Sequence, residues 1–124
     1  MLNAKQILLG SVAAGLVASL AASQQTGGTR RLPQFENEEV KVWKSIIMPN
    51  QPLSMHRHDH PRAIIALVGG TLKIVKPSGE SRSVVWETGK AYWLSSDPPD
   101  ELHGDVNEGT APIEVMVVEL KGAK

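Results

Sequence analysis

The sequence reads as an all-β fold, a sandwich or small barrel of short strands. Three observations lead there. Seven or eight β-rich runs follow one another between residues 40 and 120. Clusters of Gly, Pro, Asn, Asp and Ser separate them at regular spacing, as in sandwiches and small barrels. No stretch beyond residue 40 keeps a helical period for ten residues without meeting Gly or Pro.

The first run, 40–48, is rich in Val, Ile and Trp and stops at Pro49-Asn50-Gln51-Pro52. Residues 63–68 are almost continuously apolar, and 71–75 alternate. Gly69-Gly70 joins these two runs, and because both glycines accept positive φ the junction predicts a β-hairpin. Residues 76–80 turn the chain into a strand at 82–87, and 88–90 turn it again into 91–94. A Pro/Asp-rich loop at 95–100 leads to a strand at 102–106. Residues 107–110 form the next turn, and 112–120 the last strand, whose apolar part suits an interior sheet or an interface equally.

The N-terminal segment reads differently. Residues 1–23 carry one cation, Lys5, then an uncharged Ala/Leu/Val-rich run, then the small residues Ala21-Ala22-Ser23. This is the layout of a secretory signal peptide. The competing reading is an uncleaved membrane anchor, but the run is about 16 residues long where a span needs roughly 20. Cleavage after Ser23 leaves 101 of the 124 residues and no stable membrane anchor, and it predicts a periplasmic or secreted protein. Residues 24–39 are polar and contain glycine, which predicts a flexible linker, and the folded domain is expected at 40–121.

Composition excludes several chemistries. With no cysteine, the chain has no disulfide framework, no thiol nucleophile, no thiolate-held cluster and no lipoprotein anchor. Thirteen Lys+Arg balance thirteen Asp+Glu, so no basic excess favours nucleic acid as a partner. No glycine-rich loop stands between a strand and a helix to cradle phosphate.

The four histidines are grouped. His56, His58 and His60 alternate, and His103 follows the 95–100 loop. On a strand the side-chain period of two points the first three to one face. Neutral imidazoles suit Zn, Fe, Ni, Cu and Mn, and an H-x-H pair holds an ion from one side. The alternative is a solvated polar loop in which the histidines carry no chemistry. Glu101 and Asp105 flank His103 at two residues and are candidate acceptors for an imidazole N–H. Trp43, Trp86, Tyr92 and Trp93 either line a cavity or pack a barrel.

These residues resemble the cupin family. His56-x-His58 followed by Gly69 has the frame of the first cupin motif, and Gly89, Pro98, His103 and Asn107 match the second. The resemblance covers roughly residues 40–120. It implies a double-stranded β-helix, or jelly-roll barrel, with a divalent transition metal inside, held by His56, His58 and His103, and a homodimer. The sequence departs from the pattern at Arg62, where the first motif has Glu, and at Asp100, where the second usually has Gly. Arginine has no lone pair and cannot be a ligand.

Three metal readings follow. Three histidines alone hold the ion, as in some cupin dioxygenases; or His60 joins them, although Pro61 ends the strand there; or the site is degenerate and the barrel only binds something. Arg62 either clamps a substrate carboxylate or enolate, or pairs with Asp59 or another acid. The leading expectation is an exported cupin acting on a small chelating substrate as an Fe(II) dioxygenase, with Zn, Mn, Ni or Cu as other ions for the site. Metal-assisted isomerisation is a second enzymatic route, but it leaves no histidine for proton transfer. A non-catalytic periplasmic barrel that binds a small molecule or metal is the competing class.

Overall fold

A computed structural model describes residues 27–122. The segment read as a signal peptide, 1–23, lies outside the described residues. Nine strands form: β1 (Arg30–Glu36), β2 (Val40–Ile47), β3 (Leu53–His56), β4 (Arg62–Val68), β5 (Gly70–Val75), β6 (Ser81–Trp86), β7 (Ala91–Leu94), β8 (His103–Asn107) and β9 (Ile113–Leu120). Among the described residues there is no helix. A five-stranded sheet has the order β1-β2-β9-β4-β7, and a four-stranded sheet the order β3-β8-β5-β6. All ladders between strands are antiparallel. The two sheets face each other as a double-stranded β-helix.

The core follows from alternation along each strand. Trp43 and Ile47 on β2, Ile64 and Ala66 on β4, and Ile113, Val115 and Val117 on β9 turn to the interior, where they meet Leu72 and Trp86 from the other sheet. Trp43 stays satisfied by donating its indole N–H to Ser45 Oγ at 3.1 Å. The last strand is therefore an interior one, lying between β2 and β4. The aromatic residues divide: Trp43 and Trp86 pack the core, Tyr92 packs against it, and Trp93 is 58% exposed.

Two expectations are corrected. The linker expected over 24–39 contains a strand, since Arg30–Glu36 pairs with β2 from Arg30↔Ile46 to Glu36↔Lys41. Its side chains are almost all exposed, so no alternation marks it, and Pro33 is tolerated because the strand is an edge, with a bulge beside it. The hairpin expected at Gly69-Gly70 does not form. β4 belongs to the larger sheet and β5 to the smaller, so the glycines turn the chain from one sheet to the other. A methyl group on Gly69 would overlap the Trp86 carbonyl oxygen and lie 2.7 Å from the Thr88 nitrogen, so glycine is needed for close backbone approach. The hairpin is the next one along, β5–β6, in register from Gly70↔Trp86 to Val75↔Ser81.

Asn107, at the end of β8, ties one end of the barrel together. Its Nδ2 donates to the carbonyls of Ile47 at 3.0 Å and Ala111 at 2.7 Å, and its Oδ1 accepts from the Gly109 N–H at 2.9 Å. The side chain is almost fully buried. Asn107→Ala strands the buried Ile47 carbonyl and releases the Ala111 carbonyl and the Gly109 N–H, and is expected to destabilise the protein by about 2 kcal/mol in denaturant unfolding. An unchanged midpoint would show that the three bonds are not part of the barrel's stability.

Candidate metal centre

The site is built by one register and one pair of loops. β3 pairs with β8 so that His56 stands directly opposite His103. β3 ends at His56, and Arg57 to Pro61 leave the sheet, so the expected single strand face for His56, His58 and His60 is not formed. His58 enters the interior by a different route. Its N–H donates to Asp97 Oδ2 at 2.7 Å, while the Asp97 N–H donates to the His58 carbonyl at 2.8 Å. Arg57 adds bonds to the Pro98 carbonyl at 2.9 Å and the Asp97 carbonyl at 3.1 Å. The β3–β4 and β7–β8 loops are thereby clasped together.

The three rings converge. Ring centroids are 4.4 Å apart for His56 and His103, 4.9 Å for His56 and His58, and 5.6 Å for His58 and His103. One ring nitrogen from each lies within 4.8 Å of the others, the only such group among the described residues. His60 is outside it and instead borders a hollow formed with Arg31, Trp43 and Arg57.

Carboxylates surround the rings. Glu119 Oε2 lies 3.8 Å from His58 Nδ1, and Asp97 Oδ2 lies 3.6 Å from His103 Nδ1. The Nδ1 of His56 is 2.7 Å from the Ser54 carbonyl, which only accepts, so this nitrogen donates and Nε2 is turned to the other histidines. Asp105 lies near the Nε2 atoms of His56, at 3.5 Å, and His103, at 3.8 Å. Glu101, the other flanking candidate, pairs with Lys76 at 3.6 Å and not with an imidazole.

Arg62 faces inward, in step with Ile64 and Ala66 on β4, and is 6% exposed. Its Nη1 donates to the Ser95 carbonyl at 3.2 Å, and its Nη2 stands 4.0 Å from Asp97. Its partner is thus Asp97 and not Asp59, which pairs with Arg57. Burial pulls its pKa below the ordinary value, opposed by Asp97, Asp105 and Glu119. Arg62 and His103 both line a cavity of about 310 Å³ beside the histidines, together with Trp86, Leu94 and Lys76.

Burial, then the charge of Arg62, then the neighbouring imidazoles and Arg31 push the His58 pKa down to about 2. Burial also lowers that of His103, against the pull of Asp105 and Asp97. Both rings are therefore neutral in the folded protein, the state a metal ligand requires.

The residues suit a divalent ion by donor type, by convergence and by charge. One interior guanidinium faces three carboxylates, Asp97, Asp105 and Glu119, a formal excess of two negative charges beside the imidazoles; a further cation, Arg31, is exposed at the rim.

Asp97 and Glu119 were not singled out in the sequence. Glu119 carries a signal, because it shares the inward parity of Val115 and Val117 on β9. Asp97 lies in a loop and carries none.

No family model matches the chain, and no curated protein matches it in sequence. Solved structures do match in fold. A cupin domain from Bordetella pertussis Tohama I aligns over 76% of this chain and 94% of its own, with a TM-score of 0.67 and 23% identity. A double-stranded β-helix protein from Klebsiella pneumoniae aligns over 79% and 81%, with a TM-score of 0.58 and 20% identity. A polyketide cyclase from Streptomyces resistomycificus aligns over 77% and 69%, at 0.53 and 19%. The fold is that of the cupins, as the motifs implied.

The lowered histidine pKa values fix the sign of a pH effect. An unfolded imidazole binds its proton near pH 6.5, whereas the folded His58 refuses it down to about 2. Stability is therefore full above pH 6.5 and falls as the pH drops below that value. Urea midpoints of metal-free protein between pH 8 and pH 5 are expected to decline on the acid side, and His58→Gln to flatten the decline. A wild-type profile level to pH 5 would contradict the burial of a neutral His58.

Proposed function

We propose that this chain is an exported cupin metalloprotein holding a divalent transition metal on His56, His58 and His103, and that it acts as a dioxygenase on a small chelating substrate. The observation that carries the reading is the convergence of three imidazoles at one point, with two of them held neutral by burial. Fe(II), the favoured ion, supplies open coordination positions for dioxygen and for a substrate's donor atoms when bound.

The chain's own residues do the positioning. The Ser54 carbonyl fixes the tautomer of His56 and leaves its Nε2 free to bind. The Asp97 clasp holds His58 at the site, and the same carboxylate sets Arg62. Arg62 offers its guanidinium at the wall of the adjoining cavity, where it pairs with a carboxylate or enolate oxygen of the substrate. Trp86 and Leu94 give that cavity an apolar wall opposite its charged lining. His60 stays outside the ligand set in this reading. A homodimer and a periplasmic or secreted location belong to the proposal, following from the family resemblance and from residues 1–23.

A second reading, a barrel that binds without turnover, draws on one observation. His103 is the only histidine lining the cavity, so no imidazole is left there as acid or base.

Protein purified without chelators is expected to carry one transition metal per chain, and His103→Ala to lose it. Absence of stoichiometric metal, or retention of it in His103→Ala, would contradict the site. Oxygen uptake with diketones, phenols or thiols supports the dioxygenase, and metal binding without any uptake supports the second reading.

A further inference from the structure

Asp105 differs from the other carboxylates around the histidines in the side it occupies. Asp97 and Glu119 lie at the Nδ1 edges of His103 and His58, where a carboxylate orients a ring whose other nitrogen binds elsewhere. Asp105 lies at the Nε2 edges, with Oδ2 3.5 Å from His56 and Oδ1 3.8 Å from His103. Those two imidazoles are its only side-chain ion-pair partners among the described residues.

The His56 Nδ1 donates to the Ser54 carbonyl, so the ring presents its Nε2 edge to the Asp105 carboxylate. The spacing is that of two donors on one ion: at bond lengths of about 2.1 Å and a tetrahedral angle, donor atoms stand about 3.4 Å apart. The backbone explains how the residue comes to be there. Asp105 is two positions after His103 on β8 and so shares its face, and β8 pairs with the strand that carries His56.

We infer that Asp105 is the fourth protein ligand of the metal centre, giving a three-histidine, one-carboxylate set. Arg62 occupies the position where the cupin motif has its Glu, and Asp105 supplies the carboxylate from β8 in the opposite sheet. The inference rests on the histidine site proposed above.

The test uses Co(II) added to metal-free protein, read by visible absorption and titration. Asp105→Asn is expected to bind Co(II) about a hundredfold more weakly or worse, with shifted ligand-field bands, while its metal-free circular dichroism matches wild type. Wild-type affinity and an unchanged spectrum in Asp105→Asn, with Co(II) lost in His103→Ala, would overturn the role of Asp105 and leave the histidine site standing. A wild-type protein that takes up no Co(II) would overturn both. If Asp105→Asn does not fold, infrared difference spectra of wild-type protein with carbon-13-labelled aspartate replace it. An aspartate carboxylate band that moves on Co(II) addition supports the ligand, and a silent spectrum overturns it.

Discussion

The paired hydrogen bonds between His58 and Asp97 hold two loops in a geometry neither would keep alone. His58 follows the end of β3, where no ladder fixes its backbone, and Asp97 sits in a Pro-rich loop between β7 and β8. Each gives its N–H to the other, one to a carboxylate and one to a carbonyl. The consequence is local order at the mouth of the barrel. It also brings one carboxylate within reach of three functional groups: the His58 backbone, the His103 ring and the Arg62 guanidinium. Without that clasp, His56 and His103 would still face each other across the β3–β8 register, but the third imidazole would lose the backbone bonds that bring it to them.

The second constraint is charge. A guanidinium taken into a barrel costs free energy unless its charge is answered nearby. Here the answer comes from Asp97, Asp105 and Glu119, on a loop and two strands. Replacing the motif's Glu by Arg62 therefore changes more than one ligand. It turns a negative wall position positive and shifts the negative charge to other carboxylates around the rings. The cluster is left short of cationic charge, which a divalent ion would supply. It also leaves an interior guanidinium beside a cavity.

Most of the barrel was legible in the sequence because its strands end at turn residues and its core alternates. Residues 40–48, 82–87 and 91–94 coincide with strands to within one residue. β1 was hidden because an exposed edge strand has no buried face to imprint on its sequence. Gly69-Gly70 misled because two glycines mark a tight backbone approach as readily as a hairpin, and only the sheet assignment separates the two. In the site, the motif spacing brought out His56, His58 and His103. His60 shared their alternation on paper, but the strand stops before it. The inward direction of Arg62 follows from its parity with Ile64 and Ala66. The Asp97 contact joins residues far apart in sequence, and nothing local announces it.

The metal centre depends on three imidazoles sharing one ion. X-ray absorption at the K-edge of the bound metal resolves this, because imidazole rings give a recognisable multiple-scattering pattern. Nitrogen and oxygen are expected around the metal at about 2.0–2.2 Å, with outer scattering fitted by three rings. A metal bound with no imidazole scattering, or with that of a single ring, would contradict it.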